Sequence, residues 1–105
     1  MKKSYNFLQD PGHGWLAVPL KDCHALGLFC DSFSPYSYVS KAGTTLYLEE
    51  DLDASVFVKA YVDRFGNKPV LVEKHTNARS YVRSLPSNSG TKWVSPYAKI
   101  GRTSD

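Results

Sequence analysis

Apolar residues along this chain fall into short blocks separated by turn-forming residues, and the spacing inside each block predicts its element. Trp15-Leu16-Ala17-Val18 reads as a first strand. Pro19 closes it and suits the start of a short helix over 20–26, which Gly27 ends. Tyr36 to Ser40 and Thr44 to Glu49 read as two strands around Lys41-Ala42-Gly43, the pattern of a hairpin with a three-residue connection. From 53 to 65, Ala54, Phe57, Val58, Tyr61 and Phe65 recur every three or four residues, which predicts a helix with one buried face. Carboxylates crowd its start, where they complement the dipole and where Asp51 or Asp53 is placed to cap it. Gly66-Asn67 stops it. Val70 to Glu73 and Ala78 to Leu85 then read as two last strands joined by a His75-Thr76-Asn77 turn.

That order, β-α-β-β-α-β with an extra C-terminal strand, predicts a ferredoxin-like α+β fold with two helices on one face of an antiparallel sheet. The expected organisation is an irregular arm over 1–9, a single α+β domain over 10–85 and a flexible polar tail over 86–105. Strand side chains alternate between faces. Leu16 with Val18, Leu46 with Leu48, and Val70 with Val72 are therefore expected to point to the helices. Trp15, Tyr47 and the trio Arg79, Tyr81 and Arg83 are expected to point away, joined by Tyr36 and Tyr38.

Composition sharpens this picture in one respect. The apolar share of 42% and charged share of 22% are ordinary for a folded domain, but seven Tyr, five Phe and two Trp bring aromatics to 13%. Rings with a polar tip suit a contact surface as well as a core. The net charge of +3 is low for a protein that coats duplex DNA, so a discrete anion pocket or a protein partner fits better. Cys23 and Cys30 make no disulfide framework, and Cys30 has the flanks of a buried thiol. With no apolar run of membrane-span length and no leader-like start, a cytoplasmic, reduced chain is expected.

The candidate chemistry gathers in residues 75–83. His75, Asn77, Arg79, Tyr81 and Arg83 combine two guanidinium forks, a ring and two hydrogen-bonding side chains, a set that suits a phosphate, a carboxylate or a stacked base. With Trp15, Tyr47, Tyr36, Tyr38 and His13 they form the expected ligand-binding set. No catalytic residue, cofactor or metal is assigned. His13 lacks an Asp or Ser at a mechanistic spacing, Cys23 and Cys30 do not have a zinc-ribbon spacing, and neither His13 nor His75 lies in a His-x-Thr or His-x-Ser motif. The cluster Glu49, Glu50, Asp51 and Asp53 is better explained by the helix start than by a cation.

Four segments also carry a resemblance: Asp10-Pro11-Gly12-His13-Gly14-Trp15, Ser34-Pro35-Tyr36-Ser37-Tyr38, Tyr47 to Asp53, and His75 to Ser80. Together they resemble blocks of small uncharacterised proteins of bacteriophages and bacterial mobile elements. The resemblance implies an accessory protein at work in the cytoplasm of a host cell, one that counters defence by stoichiometric binding or sequestration. Three functions follow in order: a binding protein for a nucleotide signal or single-stranded nucleic acid, an inhibitor that masks a host defence enzyme, and a small His-dependent phosphodiesterase. A second copy, forming a symmetric homodimer, is a further partner for so aromatic a sheet.

Overall fold

The computed structural model describes residues 4–29 and 32–88. Its elements run β1 (Ser4–Gln9), β2 (Gly14–Pro19), α1 (Leu20–Ala25), β3 (Tyr38–Val39), β4 (Thr45–Glu49), α2 (Asp53–Phe65) and β5 (Val70–His75), followed by a 3-10 turn over Tyr81–Ser84. The class is α+β, with five strands in the order β3-β4-β2-β1-β5. All neighbours are antiparallel except β1 and β5, which run parallel.

The ferredoxin-like expectation fails on strand order, and the cause is at the start of the chain. Residues 4–9, expected as part of an irregular arm, form β1 between β2 and β5, with Phe7 opposite Leu16 and Tyr5 opposite Leu71. Its signal was the Tyr5-x-Phe7 alternation, which places both rings on the helix side. Residues 1–3 of the expected arm lie outside the described residues, as do Cys30 and positions 89–105 of the expected tail. Residues 86–88 continue the body: Val39 donates its amide to the Pro86 carbonyl at 2.8 Å, and Asn88 donates to Ser37 at 2.8 Å.

One core lies between the sheet and its two helices. Leu16, Val18, Val39, Leu46 and Leu48 meet Leu20 and Cys23 of α1 and Phe57 and Tyr61 of α2, all but Tyr61 at zero exposure. Tyr5 lies edge-on to Phe57 at 5.2 Å and to Tyr61 at 6.3 Å. Its hydroxyl donates to Asp22 at 2.8 Å, so burial and then that carboxylate push the phenol pKa above its ordinary range. The α2 helix has the expected bounds and ends on Gly66, whose left-handed φ of 82° few side chains tolerate. Its start is a correction. Asp53 does not cap it but turns back to accept from the Ser34 amide and hydroxyl and from Ser37 Oγ, pinning loop 34–37 to the helix. Glu49 accepts the amides of Asp51 and Leu52 instead, both at 3.0 Å.

Two further expectations change. Val70 and Val72 do not face the helices, because the register sets them beside Ser4 and Asn6, on the face opposite the buried Tyr5, and β5 is an edge strand exposed along its whole length. Residues 78–85 make no strand. Ser80 accepts the Val82 amide on its hydroxyl at 3.2 Å and starts the 3-10 turn, which Leu85 and Pro86 end.

The sheet therefore holds apolar side chains of unequal weight. Leu48→Ala should cost about 2–5 kcal/mol in chemical denaturation. Leu71→Ala, at a site 45% exposed, should stay within about 0.5 kcal/mol.

Candidate functional site: two clefts on the sheet face away from the helices

The turn between β1 and β2 sets up the site. Asp10 opens it, and Asp10 Oδ1 accepts the amides of Gly12 and His13, each at 3.0 Å, the local pattern that makes Asp a turn residue. The same carboxylate holds a distant segment. Oδ2 accepts the Ser80 amide at 3.0 Å, while Arg83 Nε reaches Oδ2 at 2.6 Å and Nη2 reaches Oδ1 at 2.9 Å. This fork-to-fork pair is the strong form of the charge-assisted hydrogen bond. Arg83, followed by three backbone amides, holds the Asp10 carboxyl well below the usual carboxylate range, and Asp10 raises the Arg83 guanidinium in turn.

The pair brings the 3-10 turn down onto the open face of the sheet. The guanidinium carbon of Arg83 stands 5.3 Å from the centre of the Trp15 ring. Trp15, expected to face solvent, is only 2% exposed beneath this cover. Gly12 leaves the room: a Cβ there would lie 2.8 Å from Arg83 Nη2.

Arg79, Tyr81 and Arg83 do not share a face. A 3-10 turn has three residues per turn, so Tyr81, Val82 and Arg83 fan out. Tyr81 leans edge-on to Tyr47, ring centres 6.1 Å apart with hydroxyls at 3.5 Å. Burial, then Tyr81, raises the Tyr47 phenol pKa. Val82 is fully buried, and Arg83 takes Asp10.

Two clefts flank this turn. The larger, about 390 Å³, is lined by His13, Trp15, Tyr36, Tyr38 and Arg83 of the expected set, by Glu49 and Asp51, whose favoured reading is the helix start, and by Leu52. The second, about 350 Å³, lies at the carboxyl ends of β1 and β5 and is lined by His75, Arg79 and Tyr81 with Lys74, Thr76 and Ser80. Lys74 has no signature in the sequence, being a lone lysine in a strand. Thr76 donates its amide to the Gln9 carbonyl at 2.9 Å and fixes the turn beneath that cleft. Arg79 reaches Ser84 Oγ at 3.3 Å. Asn77 is exposed in the turn after β5 and lines neither cleft.

Eight of the ten expected residues thus divide between two places, and Asn77 and Tyr47 line neither cleft. His13 and His75 line different clefts, so a two-histidine phosphodiester mechanism has no common site here. Among the described residues, no three His, Cys, Asp or Glu side chains gather as metal ligands. No helix among them is long and apolar enough to cross a membrane. Comparison with family models, with curated proteins and with solved structures finds no match for this chain.

Asp10 dominates the energetics of this region, and its effect has a defined sign with pH. A carboxylate with a depressed folded pKa stabilises fully above its unfolded value, near 4, and that stability is lost as pH falls from there towards the folded value. Asp10→Asn should lower the melting temperature at pH 7 by ~5 °C or more. Its difference from the wild type should shrink as melts are run from about pH 4 downwards. Arg83→Lys should lose most of the same stability, since an ammonium cannot copy the two-pronged pair.

Proposed function

We propose that the chain is a phage-type accessory binding protein that engages a phosphate-bearing ligand, a nucleotide or a short single strand, at the cleft lined by Lys74, His75 and Arg79. The observation that carries this reading is the sign of that cleft. Lys74 and Arg79 line it together and no carboxylate does. Neither makes an ion pair with a carboxylate among the described residues. Tyr81, 61% exposed, stands beside them as a ring on which a base stacks, worth about 1–3 kcal/mol by analogy with other stacking sites. Thr76 and Ser80 add hydroxyls at the same wall.

Arg83 has another task in this reading. Its guanidinium is already committed to Asp10, so phosphate contact falls to Lys74 and Arg79, and Arg83 shapes the wall that carries Tyr81. Sequestration of a nucleotide signal or a displaced strand needs no catalytic group. That agrees with a site offering charge and a stacking ring but no paired histidines.

A second reading, an inhibitor that masks a host defence enzyme, draws support from β5. Val70, Leu71 and Val72 are 42%, 45% and 38% exposed on an edge strand, a surface suited to strand addition by a protein partner.

Titration calorimetry with a 5′-phosphorylated oligothymidylate and with ADP separates the two readings. The binding protein should take up at least one of them. The Lys74→Ala, Arg79→Ala double variant should lose ~tenfold or more in affinity with an unchanged melting temperature. Log K for the oligonucleotide should fall with log salt by roughly 0.7 per phosphate neutralised. Equal binding by the double variant would discard the cleft as the phosphate site.

A further inference from the structure

The larger cleft differs in sign from the phosphate cleft. Trp15, Tyr36, Tyr38 and His13 supply rings on its walls, and Glu49 and Asp51 supply carboxylates. The cation of its lining, Arg83, is already neutralised by the buried Asp10. Glu49 and Asp51 have no such counterion: neither carboxylate makes an ion pair among the described residues.

Glu49 carries the second half of the argument. It is 8% exposed, and its Oε1 is committed to the amides of Asp51 and Leu52. Its other oxygen, Oε2, accepts no hydrogen bond among the described residues. A carboxylate oxygen left in that state on a residue this buried is costly, and here the residue lines an aromatic cavity of ligand size. Rings attract cations through their faces, and carboxylates pair with them directly. Of the remaining lining, Pro35 and Leu52 are apolar and suit an alkyl stem, and Ser87 donates its hydroxyl to the Pro35 carbonyl at 2.7 Å.

From these observations we infer that this cleft is a receptor site for an organic cation, a guanidinium or alkylammonium group on an aliphatic stem. Glu49 Oε2 receives the cationic head, Asp51 adds charge at the rim, and Tyr36, 65% exposed, closes the lip. The cation comes either from a free amine or from an arginine or lysine side chain of a polypeptide. The site is independent of the phosphate cleft and stands whether or not that cleft binds nucleotides.

The test uses the full chain with three probes followed by NMR titration: agmatine, N-acetyl-arginine amide and its neutral isostere N-acetyl-citrulline amide. Both cations should shift the indole resonance of Trp15, assigned by Trp15→Phe, and citrulline should bind at least ~fivefold more weakly. Glu49→Gln keeps an amide oxygen for the Asp51 and Leu52 amides, so it should melt as the wild type does yet bind the cations ~tenfold more weakly. Tyr36→Ala, at an exposed site, should weaken them ~threefold and guards against a folding defect in the first variant. Tighter agmatine binding identifies a free amine as the source; tighter binding of the arginine amide identifies a polypeptide. Citrulline binding as well as arginine, cation binding that survives Glu49→Gln, or no shift with any probe would overturn the assignment.

Discussion

Everything on the open face of this sheet depends on one carboxylate. Asp10 accepts five hydrogen bonds, from the amides of Gly12, His13 and Ser80 and from two nitrogens of Arg83. Its side chain is 1% exposed. A charge so enclosed is tolerated only because its lone pairs are filled and a guanidinium opposes it. The same bonds join a turn at the start of the chain to a turn some seventy residues later. The 3-10 segment then lies across the sheet instead of extending from it. Trp15 is left 2% exposed on the wall of the larger cleft, and the walls of both clefts are set.

The two clefts show how a small sheet can present opposite chemistries without conflict. Segment 79–83 is their common wall, and the three-residue period of the turn over Tyr81–Ser84 sends Tyr81 and Arg83 to different sides. Arg79 and Tyr81 line the cationic cleft, while Arg83 faces the acidic, aromatic one with its charge already cancelled by Asp10. Without that cancellation the larger cleft would hold a free guanidinium beside Glu49 and Asp51 and would accept its own arginine. The ion pair with Asp10 leaves those carboxylates without a counterion among the described residues. Electrostatic separation over such short distances is effective because each charge is partnered locally or aimed into its own recess.

On the other face the organisation is simpler, and the core follows from pattern alone. Leu16, Val18, Leu46 and Leu48 alternate as strand residues do, and Phe57 and Tyr61 recur as helix residues do, so their burial could be expected in advance. Loop 34–37 could not. Ser34 looks like any loop residue and Ser37 reads as part of a strand over 36–40, yet β3 covers only Tyr38–Val39. Both serines bind Asp53 at the first turn of the second helix, which holds Tyr36 and Tyr38 at the edge of the aromatic cleft.

What the amino-acid order decided by itself was local: the two helices with their starts and stops, the hairpin around Gly43, the inward faces of the central strands, and the concentration of rings and cations within 75–83. These rest on interactions within a few residues, where periodicity and turn chemistry dominate. Tertiary structure decided the rest. Residues 4–9 became a central strand because a partner on each side satisfied their backbone. The stretch 78–85 gave up its strand-like pattern because Ser80 and Arg83 found Asp10, a partner no spacing rule can name. That one long-range pair turned a supposed single wall of guanidinium groups and rings into two clefts of opposite sign.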